Sequence, residues 1–185
     1  MAKPVSIIVS KEEGSSTGAD QPVNMTHVMM ETSAGNIKIN LFTDEAPETT
    51  GNFLKLVDMG FYNGLHFHRV IEDFMIQGGC PHSKDPMSRD AGKGGPGWKI
   101  PCERSALDMK HDRPGIFSMA NSGPNTGGSQ FFLTTVATPW LNGNHAVFGE
   151  VIEGMNIVKG IEACQKMSGD RPSQPQRIVS VSRCE

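Results

Sequence analysis

Phe67-His68-Arg69-Val70-Ile71-Glu72-Asp73-Phe74-Met75-Ile76-Gln77-Gly78-Gly79 is the stretch that decides the fold and points to the chemistry. Its first half reads as one short strand over 66–71 and its second half as another over 74–78. Side chains on a strand alternate between faces. Met75 and Gln77 therefore share one face, and Ile76 points to the other. The run sets a permanently charged guanidinium beside apolar side chains and a neutral amide. No carboxylate pair, reactive cysteine or phosphate loop accompanies it.

A second run, Met119-Ala120-Asn121-Ser122-Gly123-Pro124-Asn125-Thr126-Gly127-Gly128-Ser129-Gln130-Phe131-Phe132, repeats that chemistry. Gln130 and Phe132 share a strand face, while Phe131 and Leu133 share the opposite one. One surface is thus both apolar and amide-bearing. The other, with Ile76, Phe131 and Leu133, is wholly apolar and is the expected core. Gly123 to Gly128 is glycine-rich but lacks the Lys-Ser/Thr ending of a phosphate loop, so it reads as a turn-rich frame for the site. Trp140-Leu141 lies in a further loop that also carries His145.

Working outward, Val28–Thr32 and Asn36–Leu41 flank Ser33-Ala34-Gly35 and read as a β-hairpin. Pro47 opens a helix in which Thr50, Phe53, Leu54 and Val57 form an apolar stripe, and Gly60 stops it. Further strands are expected around 115–119, 130–135, 146–152 and 177–183. A second helix is expected from Met155 to about Cys164. Many short strands with two helices imply a mainly β fold: a closed eight-stranded antiparallel barrel with helices covering its ends. Residues 1–25 read as a flexible N-terminal arm, and 26–185 as the functional domain.

A chain of 185 residues with net charge −3 has room for one sizeable core and shows no excess of basic residues for nucleic-acid binding. No apolar run reaches the roughly 18–20 residues of a membrane helix. The apolar start, Val5 to Val9, is too short for a signal peptide, so a cytoplasmic protein is expected. Cys80, Cys102, Cys164 and Cys184 show neither CxxC nor zinc spacing, and four free thiols are expected, with a disulfide left open. His66-x-His68 lacks further ligands, so no metal is assigned.

These groups suit a reaction that twists a bond rather than breaking one. Rotation about a peptide bond faces a barrier of about 18–20 kcal/mol from amide resonance. At the twisted geometry the prolyl nitrogen becomes a better hydrogen-bond acceptor. A catalyst needs an apolar pocket for the ring, a donor aimed at that nitrogen, and hydrogen bonds that hold the peptide. Arginine supplies a rigid, always charged donor. A hydrolase is disfavoured because no nucleophile–base pair is apparent. A peptide-binding module without turnover is the alternative.

The separated motifs resemble the cyclophilin family of peptidyl-prolyl cis-trans isomerases. They are the runs 67–71, 74–79 and 119–121, then 123–126 with 128–132, and 140–149. The resemblance spans roughly residues 27–184. The segments Glu72-Asp73 and Gly94–Glu103 look like those of short, bacterial-type, single-domain members. What the resemblance implies is an isomerase, or rotamase, that acts on X–Pro bonds and assists protein folding as a chaperone, without a cofactor. It implies Arg69 as the catalytic residue and Phe74, Met75, Phe132 and Leu141 as the proline pocket. Gln77, Ala120, Asn121, Ser122 and Gln130 would line the peptide groove, with Trp140 and His145 at its rim. The implied partners are proline-containing peptides, unfolded client proteins and cyclosporin A, which a tryptophan at the position of Trp140 favours. A monomer is expected.

Overall fold

The computed structural model describes residues 26–185, so the arm expected over 1–25 lies outside the described residues. The chain opens with the hairpin β1 (Thr26–Thr32) and β2 (Gly35–Leu41). Its turn is Ser33-Ala34, one residue shorter than expected, because Gly35 already pairs with Thr32. The Thr32 hydroxyl donates to Gly35 O at 2.6 Å and its oxygen accepts the Ala34 N–H at 3.1 Å, which fixes the turn. Helix α1 (Pro47–Asp58) follows, then the short strands β3 (Arg69–Ile71) and β4 (Met75–Gly78).

Next come a five-residue helix α2 (Arg104–Asp108), β5 (Ile116–Met119), β6 (Phe131–Thr134) and β7 (Val147–Glu153). Helix α3 (Met155–Glu162), the small hairpin β8 (Lys166–Met167) and β9 (Arg171–Pro172), and β10 (Ile178–Cys184) complete the chain. Three of these elements, α2, β8 and β9, carried no sequence signal. The segment α2 is a little over one turn long, too short for a helical period to show. The pair β8–β9 has two residues per strand, too few for alternation.

Eight strands form one antiparallel sheet in the order β10-β1-β2-β7-β5-β6-β4-β3. The sheet curls into a barrel, but the expected full closure does not occur. β3 and β10 are the ends of the order and share no ladder. A single bridge between His66 and Arg177 holds the seam. Three backbone bonds assist it: Gly64 N–H to Ile178 O at 2.8 Å, Ile178 N–H to Leu65 O at 2.7 Å and Phe67 N–H to Gln176 O at 2.9 Å. The other edge of β3 is taken by the turn between β8 and β9, where the Val70 N–H donates to Asp170 O at 2.8 Å.

The interior follows the parity of the strands. Ile76, Phe131 and Leu133 join one buried cluster with Phe53, Leu56 and Val57 of α1 and Val158 and Ile161 of α3. Phe53, Tyr62, Phe117, Phe131 and Phe148 touch one another, with Phe117 and Phe148 centred 4.3 Å apart. Rings in tilted and edge-on contact fill volume and add attraction beyond burial. Met75 and Phe132 are also buried yet stand outside that cluster, on the opposite face of the sheet.

Helix α1 is held by a distant residue. Ala46 precedes it and offers no side-chain cap. Instead the Glu103 carboxylate accepts the Glu48 and Thr49 N–H groups, each at 2.9 Å, and the Thr49 hydroxyl at 2.7 Å. A negative charge there also suits the positive end of the helix dipole.

Candidate active site

The β3–β4 hairpin builds the site. Ile71 pairs with Met75, so Glu72, Asp73 and Phe74 form a three-residue loop. Asp73 takes a positive φ of 52°, a conformation that Asp tolerates better than most residues. Phe74 therefore lies in the turn rather than at the start of the strand, and its ring meets Trp140 at 5.7 Å. At the other end of β4, Gly79 has φ 88°, and a Cβ there would lie 2.4 Å from Ser129 O. Only glycine fits, and the chain passes close enough for Ser129 to donate its hydroxyl to Gly79 O at 2.7 Å.

Register does the rest. Arg69 lies opposite Gln77 on β4, and Gln77 lies opposite Phe132 on β6, so all three project from one face. Arg69 Nη1 donates to Gln77 Oε1 at 3.2 Å, and Gln77 Nε2 donates to Gln130 Oε1 at 3.1 Å. Gln130 Nε2 then donates to the carbonyls of Gly92 and Gly94, at 2.9 and 2.8 Å. Each amide uses both its ends, so the chain of bonds has one polarity from guanidinium to backbone. Arg69 itself is exposed. The rest of its rigid donor fork borders the groove.

Arg69, Phe74, Met75, Gln77, Ala120, Asn121, Phe132, Leu141 and His145 surround one cavity of about 260 Å³. Ser122 and Gln130 lie outside it and line a neighbouring cavity of about 580 Å³, which shares Gln77, Ala120 and Asn121 with the first. Trp140 is 60% exposed and stands beside the smaller cavity, its ring 5.7 Å from that of Phe74. Nine of the twelve residues named from sequence thus surround one space, two border the adjoining one and one stands at the rim. Sequence reading missed the far wall of the larger cavity, formed by the Gly92–Lys99 loop with Trp98. That loop has no periodicity, and its glycines signal only irregular backbone.

The histidines divide into separate roles. His145 Nδ1 lies 2.9 Å from Met119 O and 3.3 Å from Asn121 Nδ2, and its ring meets Phe132 edge-on at 5.3 Å. It fixes the cavity wall. His68 is buried, and burial, with Arg69 and Arg171 nearby, pushes its ring down to about 4. It is neutral at pH 7, and its Nδ1 has no hydrogen-bond partner. The expected structural bond of His68 reduces to a contact with Gln130. His66 Nδ1 lies 2.7 Å from Ser83 O, on the seam. Among the described residues no three His, Cys, Asp or Glu side chains converge as a metal site would require. All four cysteines are free thiols.

The cavity combines apolar side chains with a cation at its lip, neutral amides along its side and the bonded ring of His145. Residues 27–183 match the family model described as cyclophilin type peptidyl-prolyl cis-trans isomerase. The chain belongs to the cyclophilin family. It is 44% identical over 158 residues to the isomerase ppi1 of Schizosaccharomyces pombe, covering 84% of this chain and 97% of that one. It is 46% identical over 156 residues to isomerase-like 1 of Rhizopus delemar, covering 82% and 89%.

A crystal structure of a Cryptosporidium parvum cyclophilin superposes with a TM-score of 0.79 at 35% identity, covering 87% of this chain and 98% of that one. A second crystal structure of that protein was obtained in the presence of the dipeptide Ala-Pro, with a TM-score of 0.78. This cyclophilin is accordingly a peptidyl-prolyl cis-trans isomerase. Catalysis, not binding alone, is the activity of its family.

Proposed function

We propose that the smaller cavity takes the proline ring of the substrate and that Arg69 is the catalytic residue. Met75, Phe132 and Leu141 contact the ring, with Phe74 closing the turn side. The Arg69 guanidinium donates to the prolyl nitrogen as the amide twists and that nitrogen regains its lone pair. Donation of this kind is weak in the planar ground state and strong at the twisted geometry, which is the differential that lowers a barrier. Asn121 and the backbone of Ala120 hold the peptide on the entry side. Ser122 and Gln130 meet residues that precede proline, in the larger cavity. His145 and Trp140 border the ring pocket without exchanging a proton, since rotation transfers none.

The observation that carries this reading is the Arg69–Gln77 bond across the β3–β4 ladder, 3.2 Å long. It aims the guanidinium over the same face that presents Met75 and Phe132. The test is cis-trans exchange of a short X–Pro peptide. We expect Arg69→Ala to lower kcat/KM roughly 100- to 1,000-fold while the fold persists, because Arg69 is exposed. Unchanged exchange in that variant overturns the role. Phe132→Ala should instead raise KM, since it removes ring contact rather than the donor.

The physiological substrates in this reading are proline-containing segments of unfolded client proteins, for which the enzyme serves as a folding helper. Cyclosporin A is the expected inhibitor, with Trp140 as an exposed aromatic anchor. Titration with the drug should alter Trp140 emission, and Trp140→Ala should weaken binding about tenfold. Four unpaired thiols fit a reducing compartment, so we place the enzyme in the cytoplasm, acting as a monomer. Cell fractionation and sedimentation test those two statements.

A further inference from the structure

His111 is fully buried and lies outside the motifs that define the groove. Its ring stacks on Phe132 from behind, with centroids 5.9 Å apart and planes 15° from parallel. It also holds the loop that carries Leu141. The Asn142 side-chain oxygen accepts the His111 backbone N–H at 2.8 Å and lies 3.1 Å from His111 Nδ1. The Thr138 N–H donates to His111 O at 2.9 Å. His111 Nε2 lies 2.9 Å from the Ser118 hydroxyl.

These contacts fix the proton on the ring. A backbone N–H can only donate, so the atom of Asn142 facing it is the amide oxygen. That oxygen can only accept, so Nδ1 carries the hydrogen. Burial lowers the basicity of the ring, which is therefore neutral at pH 7, and Nε2 lies beside the Ser118 hydroxyl, which also faces Ala146 O at 3.1 Å. The charged or titratable neighbours are Asp112 and His145. The resulting strut links the Ser118 hydroxyl, the imidazole and the Asn142 amide.

We propose that His111 is a positioning residue for the prolyl pocket: it ties the Phe132 floor to the Leu141 wall through Asn142 and so sets the width of the slot. Leu141, Asn142 and His145 belong to one short loop, and among the described residues that loop has little regular structure beyond the turn Pro139–Leu141. Three hydrogen bonds from His111 anchor it to the barrel behind Phe132. Losing them leaves the donor Arg69 in place on β3 while the opposite wall drifts. The consequence falls on substrate binding and not on the twisting step.

The inference rests on the pocket reading above, and its test separates the two. Asn142→Ala removes the acceptor at a partly exposed position, so folding is retained. It should raise KM for a short X–Pro peptide about five- to tenfold, with kcat within about twofold. His111→Phe keeps the stacked ring and the backbone bond to Asn142 but loses both side-chain bonds, so it should give a smaller rise of about two- to threefold. The double variant should do no more than Asn142→Ala alone, because that change already breaks both bonds from His111 to the loop side chain. Asn142→Asp retains an acceptor and should restore binding. In the unchanged protein, ring-nitrogen NMR should find the proton on Nδ1.

An unaltered KM in Asn142→Ala overturns the proposal, as do additive effects in the double variant. So does a fall in kcat that follows thermal stability at constant KM. Phe132→Ala serves as the control. If it raises KM and Asn142→Ala does not, the pocket stands and the strut falls. If neither raises KM, the pocket reading itself is wrong.

Discussion

Gln77 is the residue on which the polar side of the groove turns. It accepts from Arg69 and donates to Gln130, so its amide passes orientation from one to the other. Gln77→Leu keeps the bulk and removes both bonds. The guanidinium then samples more rotamers, and kcat/KM should fall about tenfold, read from peptide exchange, with unfolding midpoint little changed at this half-buried site. Gln77→Glu accepts from Arg69 more strongly but repels the Gln130 carbonyl; it should retain Arg69 and lose the Gln130 link. Much of this site was legible from sequence because strand parity needs only neighbours. Met75, Gln77 and Phe132 had to share a face once two strands were granted. The linkage from Gln130 to Gly92 and Gly94 was not legible, since a loop with no period has no parity to read. His111 was invisible for a related reason: a lone histidine between Lys110 and Asp112 looks like surface, and only packing against Phe132 buries it.

At the level of elements, the hairpin, the two longer helices and six further strand positions followed from period and punctuation. Boundaries moved by one to three residues, as at β3, where pairing begins at Arg69 rather than at residue 66. Residues 66 and 67 bond across the seam instead, which no local pattern announces. The cap on α1 was equally hidden. Ala46 looks like a poor start, and the compensating Glu103 is 54 residues from Thr49, one of the groups it caps. Glu103→Ala strands two backbone donors and a hydroxyl in a largely buried place. We expect a loss of about 2–3 kcal/mol in urea unfolding. Gly79→Ala should cost more, because its Cβ would collide with the Ser129 carbonyl at a positive φ.

For the whole molecule, acid should weaken the fold before any carboxylate does. The folded protein holds His68 neutral down to about 4, whereas an unfolded chain takes up that proton near 6.5. Between those values the unfolded state binds more protons, so stability is full above about 6.5 and declines as pH falls toward 4. His111, also depressed by burial, adds in the same direction. Thermal midpoints measured from pH 7.5 to 4.5 should fall steadily, by an amount that shrinks in a His68→Gln variant. A flat profile contradicts the burial of these rings. The sheet order carries a different consequence, one of time. The first strand of the barrel lies between the second and the last, pairing with both. During synthesis β1 must wait with one edge bare while about 145 further residues are made, roughly 7–30 seconds at ribosomal rates. This folding catalyst therefore emerges with its own sheet incomplete, exposed to mispairing at an open strand edge until its last strand leaves the ribosome.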